Sequence, residues 1–375
     1  MQYKIAKESQ EKDFPDGIPE CGADALRFGL LAYTVQGRDV NLDISRVVGY
    51  RQFCNKLWNA VRFAITYLTD FEPSVDMHLQ INEANGCSKR DLFILSRLNS
   101  TIRDCNLHMA SYSFAAVTSA LHAFFLYDLC DVYLELIKPV IGFDSAGVDP
   151  KTKQSAQATL YTCLEQFLRL AHPIMPFVTE ELWQRLPKRS QMTSTPSIMI
   201  SRYPEPIEHW FNPIVEEDMK IVLDCVHAAR SLRVDYRIPN HIKAQFCYRS
   251  GAEDIIRACR DQSDDFCTLA KSSSLDLREG ELEKGWSIKV ISDKLSIFVN
   301  LSGLVDIDAE LLRLRKEVER ISDQIESYRR KINAPGYESK VPENVRQLNS
   351  EKLSGFEQEI LATNNAIASF EAMKS

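Results

Sequence analysis

A helical spacing of apolar residues runs through the first half of the chain. Apolar positions recur at i, i+3, i+4 and i+7 in four long segments and one short segment. The helices that this pattern predicts are residues 45–68, 89–110, 113–141, 155–171 and 179–186. The linkers at 69–88 and 142–154 are rich in Asp, Gly, Ser and Pro. Long amphipathic helices joined in this way are typical of an up-and-down bundle, which we assign to residues 46–215.

Two flanking regions have other patterns. Residues 1–45 predict an entry segment whose second helix has Leu26, Leu30 and Tyr33 on one face. After residue 215 the apolar period changes to the alternation of strands. The predicted strands are 243–248, 286–292 and 295–301, and the predicted helices lie near 214–233, 252–261 and 264–270. This combination indicates a small α/β subdomain over residues 216–305.

The last part of the chain, residues 306–375, carries two heptad seams. They consist of Leu311, Leu314, Val318, Ile321, Ile325, Tyr328 and Ile332, and then of Leu353, Phe356, Ile360, Ile367 and Phe370. The breaker "NAPGYESKVPENV" separates them, so the pattern predicts an antiparallel coiled-coil hairpin. Between residues 311 and 331, seven Lys and Arg face four Asp and Glu, which makes this arm locally basic. The fold class is therefore mainly α, with a helical bundle, a small α/β subdomain and a coiled-coil hairpin.

One helix has an unusual polar face. Gln52, Lys56, Asn59 and Phe63 follow one another at i, i+4, i+7 and i+11, without an acid among them. Amides, a cation and an aromatic ring are the groups that hold the bases of single-stranded RNA loops. The alternative, which the residues alone favour, is a mixed face that packs on another bundle helix with Phe63 in the core.

We find no recognisable catalytic motif in the sequence. It has no Gly-rich phosphate loop and no G-x-S-x-G motif. Asp128, Asp131 and Glu135 form an acidic line at i, i+3 and i+7, which is more typical of a solvated or salt-bridged helix face than of an acid–base site. We therefore predict no catalytic residue in this chain.

Net charge, cysteine spacing and hydropathy limit the kinds of function that this protein can have. The net charge of −7 argues against a wholly basic nucleic-acid protein, so any RNA contact must come from a local patch. The ten cysteines are scattered without C-x-x-C spacing, which indicates reduced thiols, a cytoplasmic location and no metal site. No signal peptide or apolar run of membrane-spanning length is found, so we expect no membrane association.

Several ordered motifs resemble one enzyme family. "GIPECGADALRFGLLAYTVQGRDVNLD" and "GYRQFCNKLWNAVRF" are similar to stretches that follow the catalytic domain of valyl-tRNA synthetases. "LCDVYLELIKP", "LAHPIMPFVTEELWQRLP", "ARSLRVDY" and the "PGYESKVPENV" turn fit the same family. The resemblance covers essentially the whole chain and is nearest to cytosolic eukaryotic members. Isoleucyl-type enzymes are the alternative, but their C-terminal cysteine-pair zinc modules are missing here.

The resemblance implies a role in the ATP-dependent attachment of valine to its tRNA. The family's HIGH and KMSKS signatures and its editing domain are not found, so we expect a C-terminal portion that is inactive alone. Residues 1–45 would connect to the absent catalytic domain, 46–215 would bind the anticodon, and 306–375 would bind the outer corner of tRNA. The implied partners are valine tRNA, the missing catalytic half and a translation-factor complex. The chain itself would hold no cofactor, since ATP is used by the full-length enzyme.

The resemblance also implies individual site residues. Lys56 would hydrogen-bond an anticodon base and Phe63 would stack on one, with weaker candidates beside them. The anticodon set is Lys56, Phe63, Asn59, Gln52, Arg51, Arg62, Leu134, Glu135 and Lys138. The outer-corner set is Arg313, Arg315, Lys316, Arg320, Arg329, Arg330 and Lys331. Two alternatives stay open, namely a non-catalytic RNA-binding protein and a fragment whose coiled coil binds another protein.

Overall fold

The computed structural model forms two compact units, Met1–Met219 and Lys220–Ser375. It describes residues 7, 9–12, 14–34, 42–74, 81, 86–142, 147–187, 195–280, 285–304, 307–334, 337 and 342–374. Among the helices in these ranges, none combines the length and the apolar character needed to cross a bilayer.

The first unit is a bundle of helices around an apolar core. Its helices are α1 (Ala23–Ala32), α2 (Ile44–Tyr67), α3 (Lys89–Ala110), α4 (Phe114–Ala123), α5 (Leu134–Ile141), α6 (Pro150–Ala171) and α7 (Pro176–Arg185). Helix α6 begins five residues before the predicted start at 155, because the Asp149 carboxylate accepts a hydrogen bond from the Thr152 amide and Pro150 suits the first turn. The bounds of α2 and α3 lie within one residue of their predictions.

The predicted start of α7 at residue 179 is wrong. The helix begins at Pro176, which needs no N–H partner in the first turn. Thr179 lies inside the helix, where its hydroxyl donates to the Met175 carbonyl at 2.7 Å. The carboxylate of Asp24 caps the helix instead, since it accepts from the amide of Val178 at 2.7 Å.

The predicted helix 113–141 is not uniform. Between α4 and α5 the chain forms a π-helical stretch, Phe124–Tyr133, with wider turns than an α-helix. The buried residues of this stretch, Phe124, Phe125, Leu129, Cys130 and Tyr133, recur every four to five positions rather than every three to four. That wider spacing agrees with the π turn, which rotates the following residues relative to α4.

The predicted apolar face of α1 is also partly wrong. Leu26 and Leu30 are 41% and 40% exposed, whereas Phe28 is buried between the rings of Tyr50 and Phe53 at 4.8 and 5.3 Å. Gly29 permits this approach, because a Cβ there would lie only 3.3 Å from the Tyr50 ring. Tyr33 is buried, as predicted.

The junction between α6 and α7 holds a neutral histidine. Nδ1 of His172 lies 2.8 Å from the Thr179 hydroxyl. Because that hydroxyl donates its own proton to Met175, it accepts from the imidazole, which leaves Nε2 as the unprotonated nitrogen. Nε2 is buried and has no hydrogen-bond partner among the described residues. Burial lowers the pKa of His172, although Glu180 and Asp24 nearby oppose the shift.

This histidine should make the first unit less stable as the pH falls. A lowered pKa in the folded state means that the unfolded chain binds the proton first, so stability is complete above about pH 6.5 and is lost as the pH drops through the folded value. Urea unfolding at pH 7.5 and 5.5 measures this loss. His172→Gln should reduce the difference between the two pH values; an unchanged difference would contradict the assignment.

The second unit begins within α8 (Pro213–Asp235) and contains one four-stranded sheet among its described residues. The elements that follow are β1 (Ala244–Arg249), α9 (Glu253–Asp261), α10 (Ser263–Ala270), β2 (Ser272–Leu277), β3 (Trp286–Ser292) and β4 (Leu295–Asn300). The strand order is β2-β1-β4-β3, with β1 and β2 parallel and the other pairs antiparallel. The sequence missed β2, whose segment "SSSLDL" is too polar and Ser-rich to show a strand pattern.

The unit ends in a hairpin of two long helices, α11 (Ile307–Ile332) and α12 (Glu343–Lys374). They are antiparallel, since Arg315 pairs with Glu371 while Arg329 pairs with Glu357. The heptad residues Leu311, Leu314, Ile321 and Ile325 are buried between them. The prediction of a mainly helical chain with a small sheet and C-terminal helices is confirmed.

Candidate nucleic-acid interface

Helix α2 has one buried side and one exposed side. The Asp43 carboxylate starts the helix by accepting from the Ser45 amide at 2.8 Å. Phe53 and Leu57 are buried in the bundle, while Gln52, Lys56 and Asn59 are exposed. The three polar residues of this helix face are therefore accessible to solvent.

The neighbouring π-helical stretch supplies the acid that the stripe lacks. The Lys56 ammonium lies 3.0 Å from the Asp131 carboxylate, and both side chains are about half exposed. Burial, and then the nearby charge of Lys56, lower the pKa of His122 beside this pair. The surface thus presents a cationic donor and an anionic acceptor side by side, next to a neutral imidazole.

An aromatic cluster lies about two turns further along α2 from Lys56. Phe63 is half-buried, and its ring centroid is 4.7 Å from that of Tyr67. The Lys138 ammonium lies 5.8 Å from the centre of the Phe63 ring and pairs with Glu135. The structure therefore brings four predicted residues, Lys56, Phe63, Glu135 and Lys138, to the same side of α2 and α5.

Other predicted residues lie elsewhere. Leu134 is buried, so its side chain packs inside the bundle. Arg51 donates to the carbonyl of Glu20 and lies about 140° around the helix from Lys56. Arg62 is exposed and lies about 120° from Lys56, on the same side of the helix as Arg51. The structure does not join these three side chains to the cluster around Lys56 and Phe63.

The acidic line of Asp128, Asp131 and Glu135 is salt-bridged, as its spacing predicted. Asp128 lies 3.1 Å from Arg97, while Asp131 and Glu135 pair with Lys56 and Lys138. Burial raises the pKa of Asp128, although Arg97 opposes the shift. Arg97 also pairs with Glu216, so this part of the line is structural.

The predicted basic residues of the hairpin are largely paired with carboxylates. Arg320 and Arg330 pair with Glu317 and Glu326 one turn away on α11. Arg315 and Arg329 reach across to glutamates of α12, which carries more Glu than Lys and Arg. Lys331 lies over the Tyr328 ring, Lys316 is exposed and Arg313 is half-buried. The basic surplus of α11 is therefore offset by its partner helix.

Comparison with known proteins shows which of the two resemblances, to valyl-type or to isoleucyl-type enzymes, holds for this chain. One family model, the anticodon-binding domain of tRNA ligase, matches residues 91–248, and another, the valyl tRNA synthetase tRNA binding arm, matches residues 306–368. Valine–tRNA ligases of Rattus norvegicus, Mus musculus and Homo sapiens are each 42% identical over 377 residues, which is 99% of this chain. The chain belongs to the valyl-tRNA synthetase family. It matches the C-terminal portion of these ligases and spans 29% of their length, so the resemblance in the sequence is confirmed.

Within this valyl-tRNA synthetase portion, α2 precedes the matched anticodon-binding segment and packs in the unit that contains residues 91–219 of that segment. Sequence reasoning missed Asp131 and Tyr67 as members of the candidate interface. Tyr67 lies four residues after Phe63, a spacing that places the two rings on one helix face. No local pattern links Asp131 to Lys56, because 75 residues separate them along the chain.

Proposed function

We propose that this chain is the tRNA-binding part of a valine–tRNA ligase, and that the face around Lys56, Asp131 and Phe63 contacts the anticodon loop. The observation that carries the proposal is the exposed Lys56–Asp131 pair beside a half-buried aromatic ring in a unit that contains an anticodon-binding domain. The full-length enzyme would use ATP to attach valine to its tRNA in the cytoplasm, within a translation-factor complex. This chain alone would not activate valine and would act together with the catalytic half.

The chemistry of the face suits base recognition. The Lys56 ammonium can donate to acceptor atoms on a base edge, and the Asp131 carboxylate can accept from an exocyclic amino group. Phe63 offers a ring on which a loop base can stack, and Lys138 can reach a phosphate. An exposed ion pair such as Lys56–Asp131 contributes at most about 1 kcal/mol, so RNA can replace it at small cost.

The hairpin would contribute backbone contacts at the outer corner of tRNA. Arg313, Arg315, Lys316, Arg320, Arg329, Arg330 and Lys331 stay the candidates. Lys316 and Lys331 have no carboxylate partner among the described residues, so they can bind phosphate without breaking an ion pair. We therefore place them first in this set.

The anticodon assignment is tested with altered tRNA. Valine tRNA should bind the chain about tenfold more tightly than the same tRNA with changed anticodon bases, because a base with another donor and acceptor pattern cannot replace the Lys56–Asp131 ion pair with matching hydrogen bonds. Fluorescence anisotropy at moderate salt measures both affinities. Equal affinities would refute the role of this face.

A protein-interaction role is the second candidate, since Leu312, Leu348 and Leu361 are exposed on the hairpin. Sedimentation equilibrium discriminates the two functions. A stable dimer that breaks on Leu312→Lys would favour the second candidate, whereas a monomer that binds tRNA would favour the first.

A further inference from the structure

The sheet of the second unit has its helices on one side. On that side, the hydroxyls of Ser287 and Tyr236 are 2.7 Å apart, which joins β3 to the residue that follows α8. Tyr248 of β1 donates to the carbonyl of Ile256 in α9 at 3.3 Å, and Phe246 packs on Phe266 of α10 at 5.8 Å. Residues paired across strands share a face, so α8, α9 and α10 all pack on the face of Phe246, Tyr248 and Ser287.

The opposite face, which we call the open face, carries the alternate residues of each strand. Ile288 of β3 pairs with Phe298 of β4, which pairs with Cys247 of β1, so these three share the open face. Phe298 and Cys247 are buried, so the exposed part of this face lies on β3. By the same alternation Trp286 and Val290 flank Ile288. Ile288 and Val290 are 54% and 64% exposed, which is unusual for large apolar residues in the middle of a strand.

Two guanidinium groups lie on aromatic rings of the open face. Arg278 lies 5.0 Å from the centre of the Trp286 ring, and Arg249 lies 5.1 Å from that of Phe298. Among the strand residues that the register assigns to this face, Asp276 is the only acid, and it accepts from the Ser274 hydroxyl at 2.8 Å. Nucleobases stack on aromatic rings and on arginine guanidinium groups, whereas exposed aliphatic residues alone would fit a protein.

A cleft of about 580 Å³ opens at one end of the open face, where β1 ends and the turn between β3 and β4 lies. Its walls include Arg249, Lys294 and the hydroxyl-bearing residues Ser250 and Ser296, together with one acid, Asp293. Two cations and two hydroxyls offer the donors that a phosphate group needs. The cleft therefore extends the open face with a polar end.

We propose that the open face is an additional RNA-binding surface, which stacks a base on the Arg278–Trp286 pair and holds backbone phosphate at Arg249 and Lys294. The inference rests on the proposed function, since the RNA is the tRNA that the chain would bind. Neither family match covers β2, β3 or β4, so Arg249, Arg278, Trp286 and Lys294 all lie outside the matched anticodon-binding segment and the matched arm.

Charge reversal on the open face tests the proposal. Arg249→Glu combined with Arg278→Glu should weaken the binding of valine tRNA to the full chain by about tenfold. The slope of log affinity against log salt should fall by about 1, because Arg249 is the one of the two that holds a phosphate. The matched control is Lys220→Glu with Arg260→Glu, which makes the same charge change on exposed positions of α8 and α9. An equal loss for both double variants, or no loss for the first, would overturn the proposal.

A photoreactive amino acid at Ile288 identifies the occupant directly. Crosslinking of tRNA to this position supports the RNA surface, whereas crosslinking only to a second protein or no crosslink at all overturns it. The effect of the double variant should persist when the anticodon bases are changed, because the open face does not read them. If the unmodified chain discriminates anticodons while the open-face variant behaves as its control, only this inference fails. If the unmodified chain binds no tRNA, the proposed function fails as well.

Discussion

Replacing Phe63 with leucine should weaken the binding of valine tRNA to this chain by about tenfold or more. A base stacked on an aromatic ring contributes about 1–3 kcal/mol, and leucine keeps apolar volume but removes the π face. Phe63 is half-buried against Tyr67, so we expect the folding stability to fall by only about 1 kcal/mol. Fluorescence anisotropy with labelled tRNA, together with a thermal unfolding curve, separates the two effects.

Trp58→Leu is the matched control for this prediction. Trp58 is another half-buried aromatic residue of α2, about 140° around the helix from Phe63, with Arg185 over its ring at 5.0 Å. Replacing Trp58 should lower the folding stability, because it removes a half-buried aromatic ring as Phe63→Leu does. It should leave the affinity for tRNA unchanged. Equal losses of affinity in the two variants would show that Phe63 acts through the fold of the helix, and the stacking role would be refuted.

Asp131→Asn extends the test to the ion pair. It removes the charge next to Lys56 and keeps a carbonyl acceptor at nearly the same place. If Asp131 accepts from a base amino group, discrimination between anticodons should fall more than the overall affinity. A gain of affinity with unchanged discrimination would instead mean that Asp131 only restrains Lys56.

The sequence predicts the long helices and the alternating strands of this fold better than its irregular helical turns and its polar strand. Helices are encoded by a repeated apolar spacing, so α3 matches its predicted bounds and β3 matches its alternating segment. The π-helical stretch was missed because it differs from an α-helix by about one residue per turn, which a single segment barely shows. Strand β2 was missed because its pairing with β1, rather than its own polar residues, makes it a strand.

The candidate site shows the same limit at the level of side chains. The pattern of α2 separates a polar from an apolar side, but its residues alone favoured packing of the polar side on another helix, whereas Gln52, Lys56 and Asn59 are exposed in the structure. The pattern of α2 cannot show which side chains from distant parts of the sequence lie against its polar side. The Asp131 carboxylate reaches Lys56 only because the bundle packs α2 beside the π-helical stretch, and the wider turns of that stretch set where its residues point.

Replacing Asp91 with alanine should destabilise the first unit by about 3 kcal/mol. The Asp91 carboxylate is buried and accepts three hydrogen bonds, from the Tyr133 hydroxyl at 2.6 Å, the Ser88 hydroxyl at 2.6 Å and the Ser88 amide at 2.9 Å. Alanine would leave these buried donors without an acceptor, and each unsatisfied group costs about 1–3 kcal/mol. Urea unfolding of the full chain at neutral pH measures the loss.

Tyr133→Phe is the control, since it removes only one donor and should cost about 1 kcal/mol. A loss as large as that of the alanine variant would mean that packing of the ring, rather than the carboxylate, holds this junction together.

The pH dependence of Asp91→Asn separates hydrogen bonding from charge. Burial raises the pKa of Asp91, although the Ser88 and Tyr133 hydrogen bonds oppose the shift. A raised pKa in the folded state means that the folded chain binds the proton first, so the contribution of Asp91 to stability is largest below about pH 4 and declines as the pH rises through the folded value. Asparagine cannot titrate. The free energy of unfolding of the wild type should therefore exceed that of Asp91→Asn by more at pH 4 than at pH 7. If this difference grew towards neutral pH instead, the three hydrogen bonds would outweigh the cost of burying the charge.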